Sequence, residues 1–392
     1  MVSRQVLIVL VISLMPAVSS ATTWNVYEDG SGDAPFIQAA IDSAASRDTV
    51  RVWPGTYDED PILIYGKSLQ LESTGGAEMT TIPSLYWIYG NGPETVIVSG
   101  FRIVEVNGQP AFRVALINRF EIRQCIIEGF GDNSSVAGVE EFSIDECVFR
   151  DNINQHDQAG GALAIESVHR GDITNCLFIG NQTTHWNEGG NPDLGGGGAL
   201  NAWTASGYGP LRISGNLFVG NEAPRTGAVM IAGNIEFFNN TVVGNTSDLA
   251  AVYLAPDDEA TIHHNVFASN DPYGLYVWLH TGWQRCCCNG YWENTGWPDF
   301  YNHEGQWAGP CLGCEDIDDW ADVMMDPLFC DPDLEDYHLQ NSSPLLPENH
   351  PPGSEDCGGL IGAFGAGCAS SSVSEPAKPI PSSWGQIKAT YK

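Results

Sequence analysis

Residues able to do chemistry recur on short segments of alternating polarity. With Leu200 and Ala202 facing inward, period-two alternation sends Asn201 and Trp203 outward. The same parity places Ala164 and Glu166, then Met230, Tyr253, Tyr276 and Trp278 on the outside. Aromatic rings beside hydrogen-bonding groups suit sugars, which offer an apolar face and a hydroxyl edge. Asn201, Trp203, Tyr253, Tyr276 and Trp278 are therefore candidate glycan contacts. The alternative is ordinary cross-strand stacking on a β-surface. Acid–base chemistry has four candidates: Arg113 or His169 as the base of a lyase, and Glu166 with Asp193 as the carboxylates of a hydrolase. Their spacing singles out none of them. His263 and His264 read as surface histidines.

Asp257, Asp258 and Glu259 form an acidic cluster of the hard-oxygen type that calcium takes, although no EF-hand loop is present. The alternative is a solvated acidic loop. The chain carries 49 acidic against 16 basic residues, a formal charge of −33. That balance disfavours a nucleic-acid partner, which requires a basic footprint. It also repels an anionic polysaccharide unless a cation bridges the two.

Residues 1–21 read as a secretory signal peptide: one early positive charge, a short apolar run from Val6 to Met15, and small residues at Ser19–Ala21. No later apolar run is long enough to predict a transmembrane segment. The expected divisions are an N-terminal cap at 22–60, repeats at 61–285, a cysteine-rich closing region at 286–368, a Ser/Pro linker at 369–383 and a basic, aromatic tail at 384–392. The tail is a candidate sorting or attachment tag.

A repeat organises these elements. Ile122-Arg-Gln-Cys125-Ile-Ile127, Ile144-Asp-Glu-Cys147-Val-Phe149 and Ile173-Thr-Asn-Cys176-Leu-Phe178 align with units centred on Asn216, Asn240 and Asn265. Within a unit, Cys176 and Phe178 share a strand face. Ile173 stands three residues before Cys176 and breaks the alternation, so the chain must bend between them. Five units end in an Asn (Asn152, Asn181, Asn221, Asn245, Asn270), read here as a residue in a left-handed turn. A third strand such as Gly198-Ala-Leu200-Asn-Ala202 precedes most units. Three strands per repeat, each pairing with its copy in the next, predict an all-β, right-handed, three-sheet parallel β-helix. Ile37-Gln-Ala-Ala-Ile41 has helical spacing and predicts a helix over 36–45 that covers the open first coil.

The eleven cysteines divide in two. Cys125, Cys147 and Cys176 share the corner column with three Asn residues, and read as buried thiols. Cys286, Cys287, Cys288, Cys311, Cys314, Cys330, Cys357 and Cys368 lie late in the chain and read as disulfides that staple loops over the final coil. Their connectivity stays open.

Asp29-Gly-Ser-Gly-Asp33, Ile37-Gln-Ala-Ala-Ile41-Asp42, Pro54-Gly-Thr-Tyr57 and Gly66-Lys-Ser-Leu-Gln-Leu71 resemble the N-terminal region of pectin-lyase-like bacterial β-helix proteins. The Ile-x-x-Asn-x-Phe units resemble that superfamily's repeats. Asp326-Pro-Leu-Phe329 with Asp336-Tyr-His-Leu-Gln340 resembles its C-terminal closing sequence. The resemblance implies a parallel β-helix with function on the outer face of one sheet. It implies no single activity, because the fold hosts many. The Arg-x-x-x-Pro setting of pectate-lyase-like enzymes is missing, as are the Asn-Thr-Asp, paired Asp, Gly-His-Gly and Arg-Ile-Lys motifs of polygalacturonase-like ones. Two functions follow: a secreted or cell-surface protein that binds polysaccharide or extracellular matrix without catalysis, or a polysaccharide lyase or glycoside hydrolase with an unrecognised site.

Overall fold

Apolar residues at alternate positions, as in Val50/Val52, Leu69/Leu71 and Val96/Val98, bury one face of each short strand and leave the other outside. In the computed structural model these strands stack as a parallel β-solenoid of about ten turns. The structure describes residues 21–155, 160–184, 196–204, 208–277, 283–295, 322–354 and 357–368. The signal peptide expected at 1–21, the linker and the tail fall outside these residues, save Ala21.

Three parallel ladders run along the solenoid. Ladder A contains Leu63–Tyr65, Ser134–Ala137, Leu163–Val168, Leu200–Thr204 and Asp271–Val277. Ladder B starts at Thr23–Val26 and Asp48–Val52 and ends at Trp283–Cys287. Ladder C runs from Gly55–Thr56 to Gly290–Trp292 as a separate ten-stranded sheet. Ladders A and B are not separate sheets, as expected, but one of sixteen strands. The long strands Leu85–Ser99, Phe112–Arg123, Thr226–Phe238 and Thr246–His263 turn the corner between them without leaving β pairing. The strand Thr23–Val26, not foreseen in the sequence, is the terminal strand of ladder B.

Helix α1 spans Ile37–Ser43 and packs against those first two strands, with Ile37, Ala40 and Ile41 buried in the main core. Both ends are tied. Glu59 accepts the N–H groups of Ile37 and Gln38 (3.0 Å each), and Lys67 Nζ donates to the carbonyls of Ile41 and Ala44 (2.8 Å each). These satisfy terminal backbone groups and suit the helix dipole.

Inside the coils, Phe149, Phe178 and Phe218 stack at 4.8 Å intervals, one per turn. Two buried polar columns fill the corners. Asn181 donates its backbone N–H (2.9 Å) and Nδ2 (3.0 Å) to Asn221 Oδ1, and Asn221 repeats this toward Asn245 Oδ1 (2.9 Å each). Each Nδ2 also donates inward, as Asn221 does to the Phe178 carbonyl (2.9 Å). The other corner holds Cys125, Cys147 and Cys176, then Asn216, Asn240, Asn265 and Asn289, all buried. Asp322 ends that column by accepting the Asn289 N–H (2.8 Å). Burial pushes the Cys125 and Cys147 thiols well above their ordinary range, so they stay protonated.

The left-handed residue is not the Asn, as expected, but the one before it. Asp151, Gly180, Gly220, Gly244, Ser269 and Glu293 have φ between 47° and 62°. Turning the backbone one residue earlier aims the amide into the corner.

The described C-terminal region extends beyond the last coil. Val323 does pair with the final turn, at Gly290. Beyond it the chain folds back as a strap along the outside of ladder C. Tyr337, Leu339, Leu345, Leu346 and Ile361 bury an outward apolar stripe that includes Val148, Leu177, Leu217 and Val266. A hairpin of Phe329–Asp331 with Asp336–Leu339 carries Glu335, which reaches Arg150 (3.9 Å). Disulfides Cys288–Cys357 and Cys330–Cys368 tie the strap, and Cys287 is also disulfide-bonded. Cys311, Cys314 and the Cys286 side chain lie outside the described residues.

Candidate functional site

The outer face of ladder A presents two unbroken columns. One reads Arg113, Ser135, Ala164, Asn201, Met230, Tyr253, Tyr276. The other reads Tyr65, Tyr89, Ala115, Ala137, Glu166, Trp203, Ala232, Ala255. The registers follow from alternation, because inward Leu163, Leu200, Val229, Val252 and Leu275 hold the opposite parity in the core.

Facing out of the coil is not the same as facing solvent. Trp203 is 37% exposed and Glu166 is exposed, but Tyr253 is 1% and Tyr276 8% exposed. Those two rings stack at 5.3 Å and sit with Met230 and Ala250 under Leu249, Ala255 and Tyr273. They cannot act as the surface platform expected of them. Asn201, two residues before Trp203, is half-buried, and Trp278 lies outside the described residues.

The exposed aromatic surface lies at the other end of the same face. Tyr65 is 65% and Trp87 37% exposed. Tyr65 stacks on Tyr89 (5.6 Å, 8°), and Trp87 meets Tyr89 edge-on (6.4 Å). The parallel strings Leu63-Ile64-Tyr65 and Trp87-Ile88-Tyr89, each with an inward Ile between outward large residues, carry this signal in the sequence. Between Tyr89 and Glu166 the column holds only Ala115 and Ala137, with the exposed Leu116 beside Ala115 in sequence. Tyr65 and Trp203 are five turns apart, ~24 Å at the usual strand spacing.

The four acid–base candidates do not converge. Arg113 Nη2 is held by Asp132 Oδ2 (3.0 Å), so its guanidinium is committed to a carboxylate. Glu166 lies two turns further along, in the other column. His169 bonds Glu140 through Nδ1 and stacks on Tyr208 (3.8 Å, 9°) at the corner leading to ladder B. Asp193 lies outside the described residues. Ladder B spends further cations: Arg119 pairs with Glu121 (2.6 Å) and Glu141 (3.4 Å), Arg170 with Glu141 (3.0 Å), and Arg212 with Glu236 (2.5 Å). Burial raises the Asp172 carboxyl there, partly offset by Arg212.

Asp257, Asp258 and Glu259 lie on the strand Thr246–His263 rather than in a loop, and their side chains are outside the description. Among the described residues no group of three His, Cys, Asp or Glu side chains is placed to hold a metal. Also among them, no helix is long and apolar enough to cross a membrane. The chain matches no protein-family model, no curated protein and no solved structure.

Proposed function

We propose that this protein binds an extended, neutral glycan along the outer face of ladder A. The observation that carries the reading is the single register column that joins the Tyr65–Tyr89 stack to Trp203 through Ala115 and Ala137. Flat rings at both ends offer stacking faces for sugar rings, and Glu166 supplies a hydrogen-bonding edge between them. A neutral ligand fits a chain of formal charge −33 whose arginines on this part of the coil largely face carboxylates. A uronate polymer would need a bridging calcium.

Polysaccharide is also the ligand class that the motif resemblance to pectin-lyase-like proteins supports. Disulfides fit an extracellular protein, and the reading places it outside the cell, on matrix or cell-surface polysaccharide, after loss of residues 1–21. The tail at 384–392 would serve attachment or sorting. The second reading, a lyase or hydrolase, would require cationic or carboxylate groups converging on one trough. Arg113, Glu166 and His169 do not converge.

A glycan array run beside an unsaturated-uronate absorbance assay tests both readings. Neutral linear glycans are expected to bind. Pectate and alginate are expected to release no unsaturated product, with or without calcium. Steady release that Arg113→Ala abolishes would establish a lyase instead.

A further inference from the structure

Residues 357–363 of the strap lie directly on the corner between ladders B and C. Asn239 Nδ2 donates to the carbonyls of Leu360 (2.7 Å) and Gly362 (3.4 Å). The Gly362 N–H donates to the His264 carbonyl (2.7 Å), and the Ala363 N–H to Thr241 Oγ1 (3.0 Å). A Cβ on Gly359 would meet His264 Nε2 at 3.1 Å, and one on Gly362 would meet Val266 at 2.9 Å. Ile361, between them, is fully buried on ladder C.

The histidines beneath are paired in a way that fixes their protons. His264 Nε2 lies 3.0 Å from the Cys357 carbonyl, which only accepts, so Nε2 carries the hydrogen. His264 Nδ1 is then bare in the neutral ring. It lies 2.7 Å from His263 Nδ1, which must donate. With both rings protonated, two N–H groups are set against each other across this contact. Phe238 stacks on His263 (5.2 Å). Among the described residues, the other titratable groups acting on the pair are Glu236 from the neighbouring coil, already bonded to Arg212, and His350 from the strap side. Both ring nitrogens of His350 are buried without a hydrogen-bond partner.

We propose that residues 357–363 are an acid-released latch: protonation of the His263–His264 pair lifts this end of the strap off the coil, while the Cys288–Cys357 bridge keeps it tethered. Opening uncovers the part of the apolar stripe around Val243 and Val266. Burial first, then the neighbouring His264, hold His263 down to about 4, and burial also lowers His264. A histidine lowered in the closed state stabilises closure above its ordinary value of 6.5, and this contribution is lost as pH falls toward 4. Closure therefore weakens on the order of 100-fold between pH 7 and pH 4.

Hydrogen exchange at the Gly362 and Ala363 amides, corrected for intrinsic rates, tests this on the full chain. Protection is expected to fall on the order of 100-fold at pH 4, while the Asn221 and Asn245 amides keep theirs. The double variant His263→Gln, His264→Gln is expected to hold its protection at pH 4. Unchanged wild-type protection, or equal loss in the double variant, would overturn the latch. Should that variant not fold, acid titration of the wild type decides: binding of a hydrophobic dye is expected to rise before the far-UV circular dichroism changes, and simultaneous change would overturn it.

Discussion

Asn221→Leu is expected to cost about 2–4 kcal/mol of folding stability. The substitution removes the Oδ1 that accepts both the Asn181 N–H and Asn181 Nδ2, and the Nδ2 that serves the Phe178 carbonyl and Asn245 Oδ1. All these groups are buried, so water cannot replace the lost partners. An orphaned buried polar group costs about 1–3 kcal/mol; the Asn181 N–H loses its acceptor outright, whereas Asn181 Nδ2 keeps the Phe149 carbonyl and Asn245 Oδ1 keeps the Asn221 N–H (2.9 Å each). Cys176→Asn is the matched control. Its backbone N–H already donates to Asn216 Oδ1 (2.8 Å), and its Sγ already points at the Ile144 carbonyl (3.6 Å). Ile144 pairs in register with Ile173, whose carbonyl receives Asn216 Nδ2 (2.9 Å). An Asn at 176 thus extends the column by one turn with its donors met, and stability should change by no more than about 1 kcal/mol. Urea unfolding checks both. A loss under about 1 kcal/mol for Asn221→Leu would mean that the column carries little of the fold's stability.

The combined variant Tyr65→Ala, Trp87→Ala, Trp203→Ala is expected to weaken glycan binding by about a hundredfold or more, at roughly 1–1.5 kcal/mol per ring. Trp203 alone should account for about a tenfold loss. The two aromatic ends are about 24 Å apart, so their effects should add. Calorimetric titration with a neutral linear oligosaccharide long enough to span both ends measures this. Tyr27→Ala with Trp53→Ala removes a second exposed stack (5.2 Å) elsewhere on the coil and should leave affinity unchanged. Equal losses from the two sets would put the ligand on another face.

The solenoid was legible because its repeat carries a physical contradiction. Ile173, Cys176 and Phe178 can all be buried only if the chain bends between 173 and 176, and all three are. The shared corner column of Cys and Asn was legible for the same reason. The exact turn residue was not: Asp151, Ser269 and Glu293 take the left-handed conformation beside an Asn that has the better intrinsic preference, because the buried amide column outweighs it. Tyr253 and Tyr276 show the limit of parity, which states the side of a strand but not what covers that side. The strap leaves a trace in the sequence. Val148, Leu177, Leu217 and Val266 are apolar at outward positions, one after each Cys or Asn, and a run of such positions needs a partner. For the site, Trp203 and Glu166 follow from alternation alone, whereas Tyr65, Trp87 and Tyr89 precede the regular repeat, so its period does not place them.

Hydroxyl-radical footprinting of the full chain, with and without a saturating neutral polysaccharide, tests the central claim most directly, because it reports which aromatic rings the ligand covers. Bound glycan is expected to protect Tyr65, Trp87 and Trp203 together and to leave Tyr27 and Trp53 as reactive as before. Protection of Tyr27 and Trp53 with Trp203 and Tyr65 still reactive would contradict a binding face on ladder A.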